Sequence, residues 1–138
     1  MAGNIQLEVV TPEGAVISEA VEIVVAPGTM GEFGVLVGHT PFLTTLKLGT
    51  IRYKDAKNQE HWVFVSGGFA EALPDRVTVL AESAERREDI DLERAKSALE
   101  RAKRRLAGEV EKDIDFIRAK AALERALHRV RLAEARLR

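Results

Sequence analysis

No cysteine occurs in the chain. Disulfides and thiolate metal sites are therefore excluded within it, which suits a reducing compartment. Aromatic residues are scarce, at 5%, too few for a base-stacking platform for single-stranded nucleic acid. No apolar run approaches the roughly 20 residues that a membrane-spanning helix needs. Met1, Ala2, Gly3 and Asn4 bring neither the basic segment nor the apolar stretch of a signal peptide. Any link to a membrane is expected to run through partner proteins. Catalytic signatures are missing too: no G-x-x-x-x-G-K-[ST] loop, no G-x-S-x-G elbow and no H-E-x-x-H pair is present. His39, His61 and His128 are scattered and read as turn, hairpin and helix-surface residues.

What is present is a chain of 138 residues, 46% hydrophobic, enough for a packed core. Its net charge of −1 hides an asymmetry. Residues 1–84 hold 5 Lys/Arg against 10 Asp/Glu, and residues 85–138 hold 16 against 12. Residues 116–138 carry 7 basic residues against Glu124 and Glu134. This split implies two modules with different neighbours.

Periodicity divides the chain at the same place. Ile5, Leu7 and Val9 alternate with Gln6 and Glu8, the period of a half-buried strand. Thr11-Pro12-Glu13-Gly14 is a turn, because Pro sets φ and Gly supplies positive φ. A β-rich run resumes over 15–25. Residues 51–54 and 62–65 flank a polar segment, 55–60, and predict a hairpin. Residues 76–80 form a further strand. Many short strands with frequent turns predict a sandwich or flattened barrel.

After residue 84 the period changes. Leu92, Ala95, Leu99, Ala102 and Leu106 step by three and four, and Gly108 supplies a stop. Phe116, Ala119, Leu123, Ala126, Val130, Ala133 and Leu137 repeat the pattern. Two such seams joined by a short connection predict an antiparallel helical hairpin. Its alanines allow close approach but bury little area, so it should be only marginally stable. The fold class expected is α+β: an N-terminal β-sandwich over 1–84, then a two-helix hairpin over 85–138.

The segment Ala26-Pro27-Gly28-Thr29-Met30-Gly31-Glu32-Phe33-Gly34-Val35-Leu36-Val37-Gly38-His39-Thr40-Pro41 is glycine-spaced. Such a loop can cradle phosphate, but no helix follows to offer its N-terminus, and a sheet connection is the better reading. This segment resembles the signature of the epsilon subunit of bacterial and chloroplast F-type ATP synthases. Leu7-Glu8-Val9-Val10-Thr11-Pro12-Glu13-Gly14 is similar to that family's first strand and turn. Val65-Ser66-Gly67-Gly68-Phe69-Ala70-Glu71 and Val77-Thr78-Val79-Leu80-Ala81-Glu82 are similar to later strands. The resemblance runs through essentially the whole chain. It implies a non-catalytic rotor subunit of a proton-translocating synthase, peripheral at the cytoplasmic face of the bacterial plasma membrane. The sandwich would bind the gamma subunit and the c ring. The helices would either fold down or extend towards the alpha and beta subunits to restrain ATP hydrolysis, the basic second helix meeting an acidic segment of beta. Residues 90–137 as a single helix would reach roughly 70 Å.

Ile90-Asp91-Leu92-Glu93-Arg94-Ala95 resembles the element of epsilon subunits that bind ATP. Asp91 and Arg94 share one helix face, and Arg101 returns to it seven residues on. Arg125 and Arg129 share a face of the second helix. A closed hairpin could converge these arginines on one polyphosphate, since guanidinium forks suit phosphate oxygens. By resemblance, Asp91 and Glu85 would hold the adenine or ribose side, lined by Ile90 and Ala95. Whether magnesium accompanies ATP stays open. The competing reading of Asp91 is a helix cap, because carboxylates at a helix start complement its dipole. Two alternatives of different class remain: a free-standing ATP-sensing module, which needs no gamma partner, and an enzyme, disfavoured by the missing catalytic constellation.

Overall fold

The computed structural model describes residues 3–108 and 115–136. Nine strands are found among them: β1 (Ile5–Thr11), β2 (Gly14–Gly28), β3 (Gly31–Leu36), β4 (Phe42–Leu46), β5 (Gly49–Asp55), β6 (Glu60–Val65), β7 (Gly68–Leu73), β8 (Arg76–Ala81) and β9 (Ala84–Arg86). A 3-10 turn (Arg87–Asp89) leads to α1 (Leu92–Leu106) and α2 (Phe116–Glu134). The expected order, strands and then two helices, is what the structure has.

β2 organises the sandwich because it is long enough to serve both layers. Its first half pairs with β1, from Thr11↔Gly14 to Ile5↔Val21. Its second half lies between β3 and β5, with Val24 opposite both Val35 and Tyr53. From β1 the sheet continues through β8, in parallel, then β7 and β4, and returns to β2 at Gly28↔Leu46. On the other side β5, β6 and β9 follow in turn. This is the flattened barrel that the strand pattern predicts.

Alternation decides which side chains meet inside. Ile5, Leu7 and Val9 are buried, as are Val77, Val79 and Ala81 across the parallel pair and Ile51, Tyr53 and Val63 in the facing layer. Each Val, Leu or Ile side chain among them contributes about 1.5–3 kcal/mol by leaving water. Gly68, opposite Ala81, has φ 136°, and a Cβ there would run into the Leu80 carbonyl oxygen. Only glycine meets both demands. The predicted turn forms between β1 and β2, where the buried Thr11 hydroxyl accepts the Glu13 N–H at 3.2 Å. The predicted 51–54/62–65 hairpin is β5–β6. Asp55 organises its loop by accepting the N–H groups of Lys57 (2.8 Å) and Gln59 (3.0 Å).

The helices begin and end for local reasons. Asp91 caps α1, accepting the Arg94 N–H at 3.0 Å, and Asp115 caps α2, accepting that of Arg118 at 3.1 Å. α1 stops where expected: Gly108, at φ 76°, donates its N–H to the Arg105 carbonyl at 3.1 Å. The seam contains Ala95, Leu99, Ala126 and Val130, flanked by Leu92, Ala98, Leu123 and Leu127. Lys96, early in α1, meets Glu134, the last residue of α2, at 3.7 Å, so the pair is antiparallel. One seam position is corrected. Phe116 is 62% exposed rather than packed, because it opens the first turn of α2. Leu137 and the connection at 109–113 lie outside the described residues.

The chain divides into two compact units, Met1–Arg87 and Glu88–Arg138. The sequence boundary at 84 falls inside β9, which pairs with β6 through Ala84↔Val65, Glu85↔Phe64 and Arg86↔Val63. Ala84-Glu85-Arg86 has no apolar alternation, so its strand character comes only from the edge it joins.

Candidate functional site

The helical unit holds most of the residues expected to bind nucleotide. Asp91 precedes α1, and its cap commits one carboxylate oxygen to the Arg94 N–H while the residue stays exposed. The cap role is therefore established, and it leaves the second oxygen open to another donor. Arg94 and Arg101 are exposed on α1, Arg125 and Arg129 are half-buried on α2, and Ile90 is half-buried just before α1. Ala95, at 5% exposure, belongs to the seam itself, packed with Leu99, Ala126 and Val130. Glu85 is half-buried on β9 and belongs to the sandwich unit. Arg94 neighbours Ala95, and Arg125 and Arg129 neighbour Ala126 and Val130, so both sets border one seam. At the far end of α1 the Arg105 Nε is buried without a hydrogen-bond partner. Its aliphatic stem lets an arginine sit there, as long basic side chains cover apolar surface.

The three histidines differ in setting. His61 Nε2 lies 2.8 Å from an Asp55 carboxylate oxygen, and its ring stacks on Tyr53 at 4.8 Å. That hydrogen bond, with the backbone donors of Gln59 and Lys57, holds the Asp55 carboxyl below its usual range. His39 lies against Phe42 in the connection after β3, with Nδ1 2.6 Å from the Thr40 carbonyl. Those two roles are the expected hairpin and turn roles. His128 is half-buried on α2 rather than fully at the surface, and burial, helped by Arg131, pushes its pKa down. Burial and the hydrogen bond to Glu19 raise that of Tyr53. Among the described residues no group of His, Asp and Glu could hold a metal ion, and no helix is long and apolar enough to cross a membrane.

The sandwich carries a surface that sequence reading missed. Phe69 on β7 and Leu80 on β8 lie directly opposite each other, and Val10 on β1 comes next in the row. Phe69, Leu80 and nearby Leu43 on β4 are exposed on the outer face. The signal was available: Phe69 and Leu80 sit out of phase with the inward Ala70, Ala72, Val77 and Val79. Met30 stands 96% exposed at the β2–β3 tip. The 26–41 segment forms no phosphate cradle but the end of β2, this tip, β3 and the link to β4. Gly28 is needed there because a Cβ would lie 2.7 Å from the Gly31 carbonyl oxygen.

Comparison with known proteins agrees across both units. The family model for the beta-sandwich domain of the ATP synthase Delta/Epsilon chain matches residues 4–87, and that for its long alpha-helix domain matches 88–137. The ATP synthase epsilon chain of Desulfosudis oleivorans is 65% identical over 106 residues, 77% of this chain and 80% of that one. That of Desulfatibacillum aliphaticivorans is 68% identical over 77% of this chain and 75% of its own length. A chain in the cryo-EM structure of the Euglena gracilis mitochondrial ATP synthase (OSCP/F1/c-ring) superposes with a TM-score of 0.73 at 26% identity, over 90% of this chain and 78% of that one. One from the central stalk and c-ring of the Tetrahymena thermophila enzyme shares the fold, with a TM-score of 0.55 at 15% identity over 94% and 92% of the two chains. The chain belongs to the ATP synthase Delta/Epsilon family, as an epsilon subunit of the F-type central stalk.

Proposed function

We propose that this subunit is a non-catalytic rotor component that joins gamma to the c ring through its sandwich and restrains ATP hydrolysis through its helices. Its place is peripheral, on the cytoplasmic face of the membrane. Docking is supported by the outer row of Phe69, Leu80 and Leu43, an exposed apolar surface suited to a protein partner, here assigned to gamma. Truncation after Arg87 removes the helical unit and leaves β9 whole. The truncated chain is expected to join the stalk and to lose regulation. Failure to join would place the docking determinants in the helices instead.

ATP is proposed as the ligand of the closed hairpin. The observation that carries this is the bordering of one seam by Arg94 on α1 and by Arg125 and Arg129 on α2. Arg101 extends the basic surface, and Ile90 and the open oxygen of Asp91 offer contacts to the nucleoside. A ligand that needs both helices binds the closed hairpin better than the open one, as a population shift requires. At about 100 times its dissociation constant ATP would stabilise the closed form by about 2.7 kcal/mol. Calorimetry of the isolated chain with ATP, with and without magnesium, tests this. Heat of binding that weakens in Asp91→Ala and Arg94→Ala is expected. No heat at millimolar ATP would refute the nucleotide site and leave the stalk role standing.

A further inference from the structure

We propose that Glu19, Tyr53 and Arg86 form a clasp that locks β9 to the sandwich, so that the helical arm pivots from the residues after Arg87 and not by peeling β9 away. β9 is three residues long and ends the sheet, paired with β6 alone. A strand so short at an edge is expected to fray unless side chains tie it down.

The register supplies the tie. Arg86 lies opposite Val63, and Val63 lies opposite Ile51. Directly opposed residues share a face, and Val63 and Ile51 are buried, so Arg86 occupies a core-facing position. Tyr53, two residues beyond Ile51 on β5, belongs to the same face and is buried. Glu19 lies two residues from Ile17 and from Val21 on β2, both buried, and opposite the buried Leu7, so it too faces inward. Two opposite charges at core-facing positions thus bear on one buried phenol.

The contacts follow. The Tyr53 hydroxyl donates to the Glu19 carboxylate. The ring is held from its face by His61, stacked at 19° between planes. Arg86, from its core-facing place on β9, bears electrostatically on the phenol and opposes Glu19 in its effect on the ionisation of Tyr53. Each member depends on the others, because a core-facing charge or hydroxyl left without its partner is costly. The clasp spans β2, β5 and β9 and therefore ties the chain's exit from the sandwich to both layers.

Its consequence for regulation rests on the moving-arm reading, but its test needs no nucleotide, so either can fail alone. Residue-resolved hydrogen exchange would be measured on the full-length chain, wild type against Arg86→Ala and Tyr53→Phe. Exchange of the β9 amides is expected to rise about tenfold in both variants, with the amides of β1, β7 and β8 unchanged. Unchanged β9 exchange in either variant would overturn the clasp. So would an equal acceleration in all strands, which marks general destabilisation.

Discussion

Leu99→Ala probes what closes the hairpin. Leu99 is 8% exposed and packs in a seam whose other fully buried members are Ala95, Ala126 and Val130. It is the largest of these four side chains. A buried Leu→Ala change costs about 2–5 kcal/mol, depending on how far the site collapses. A seam formed by only two helices can relax, so the lower part of that range applies, about 2–3 kcal/mol. At 1.4 kcal/mol per tenfold, the closed population should fall about 30- to 150-fold relative to the open one. The chain lacks cysteine, so spin labels attached through cysteines introduced at the exposed Ser97 and Arg131 report this pair alone. A short, narrow distance distribution in the labelled parent should broaden and lengthen in Leu99→Ala. Leu43→Ala, at an exposed position on the sandwich, is the control, expected within about 0.5 kcal/mol of the parent. On the ATP reading, ligand stabilisation of about 2.7 kcal/mol matches the loss, so saturating ATP should restore much of the short distance. An unchanged distribution in Leu99→Ala without ATP would refute the seam as the closing force.

Three further outcomes are expected. His128 has a pKa lowered by burial and by Arg131, so the helical unit should be most stable above about pH 6.5 and lose stability as pH falls through the folded pKa; helix melting followed from pH 8 to 5 should show this, and His128→Gln should flatten it. Gly68→Ala adds a Cβ against the Leu80 carbonyl and a disfavoured φ, whereas at Gly14 the φ is similar but nothing lies within 4 Å. Urea unfolding should place the first about 2–4 kcal/mol below wild type and the second nearer 1; equal losses would refute the steric account. In the assembled enzyme, Arg131→Ala with Arg136→Ala should raise ATP hydrolysis at low salt, and the difference should shrink at high salt. Hydrolysis equal to wild type would count against an acidic partner for α2.

The sequence alone determined the element types. Alternation in Ile5, Leu7 and Val9 specifies a strand with one buried face, and three-four spacing from Leu92 to Leu106 specifies a helix with one apolar stripe. These periods are properties of the local backbone and need no knowledge of neighbours. Caps were equally legible, since Asp91 and Gly108 act on groups only a few residues away. Phe116 broke its series because periodicity gives a direction around a helix and says nothing of what lies opposite its first turn. What long-range pairing decides stayed hidden. β2 serves two layers and β9 exists as a strand only because partners far along the chain offer edges. The same holds for the surfaces. Phe69 and Leu80 become one apolar row only once β7 and β8 are in register, and Glu19, Tyr53 and Arg86 come to bear on one another only because the sheet register gives all three core-facing positions. The nucleotide residues lie between these cases: their spacing along each helix was readable, but their common seam depends on how α1 packs on α2.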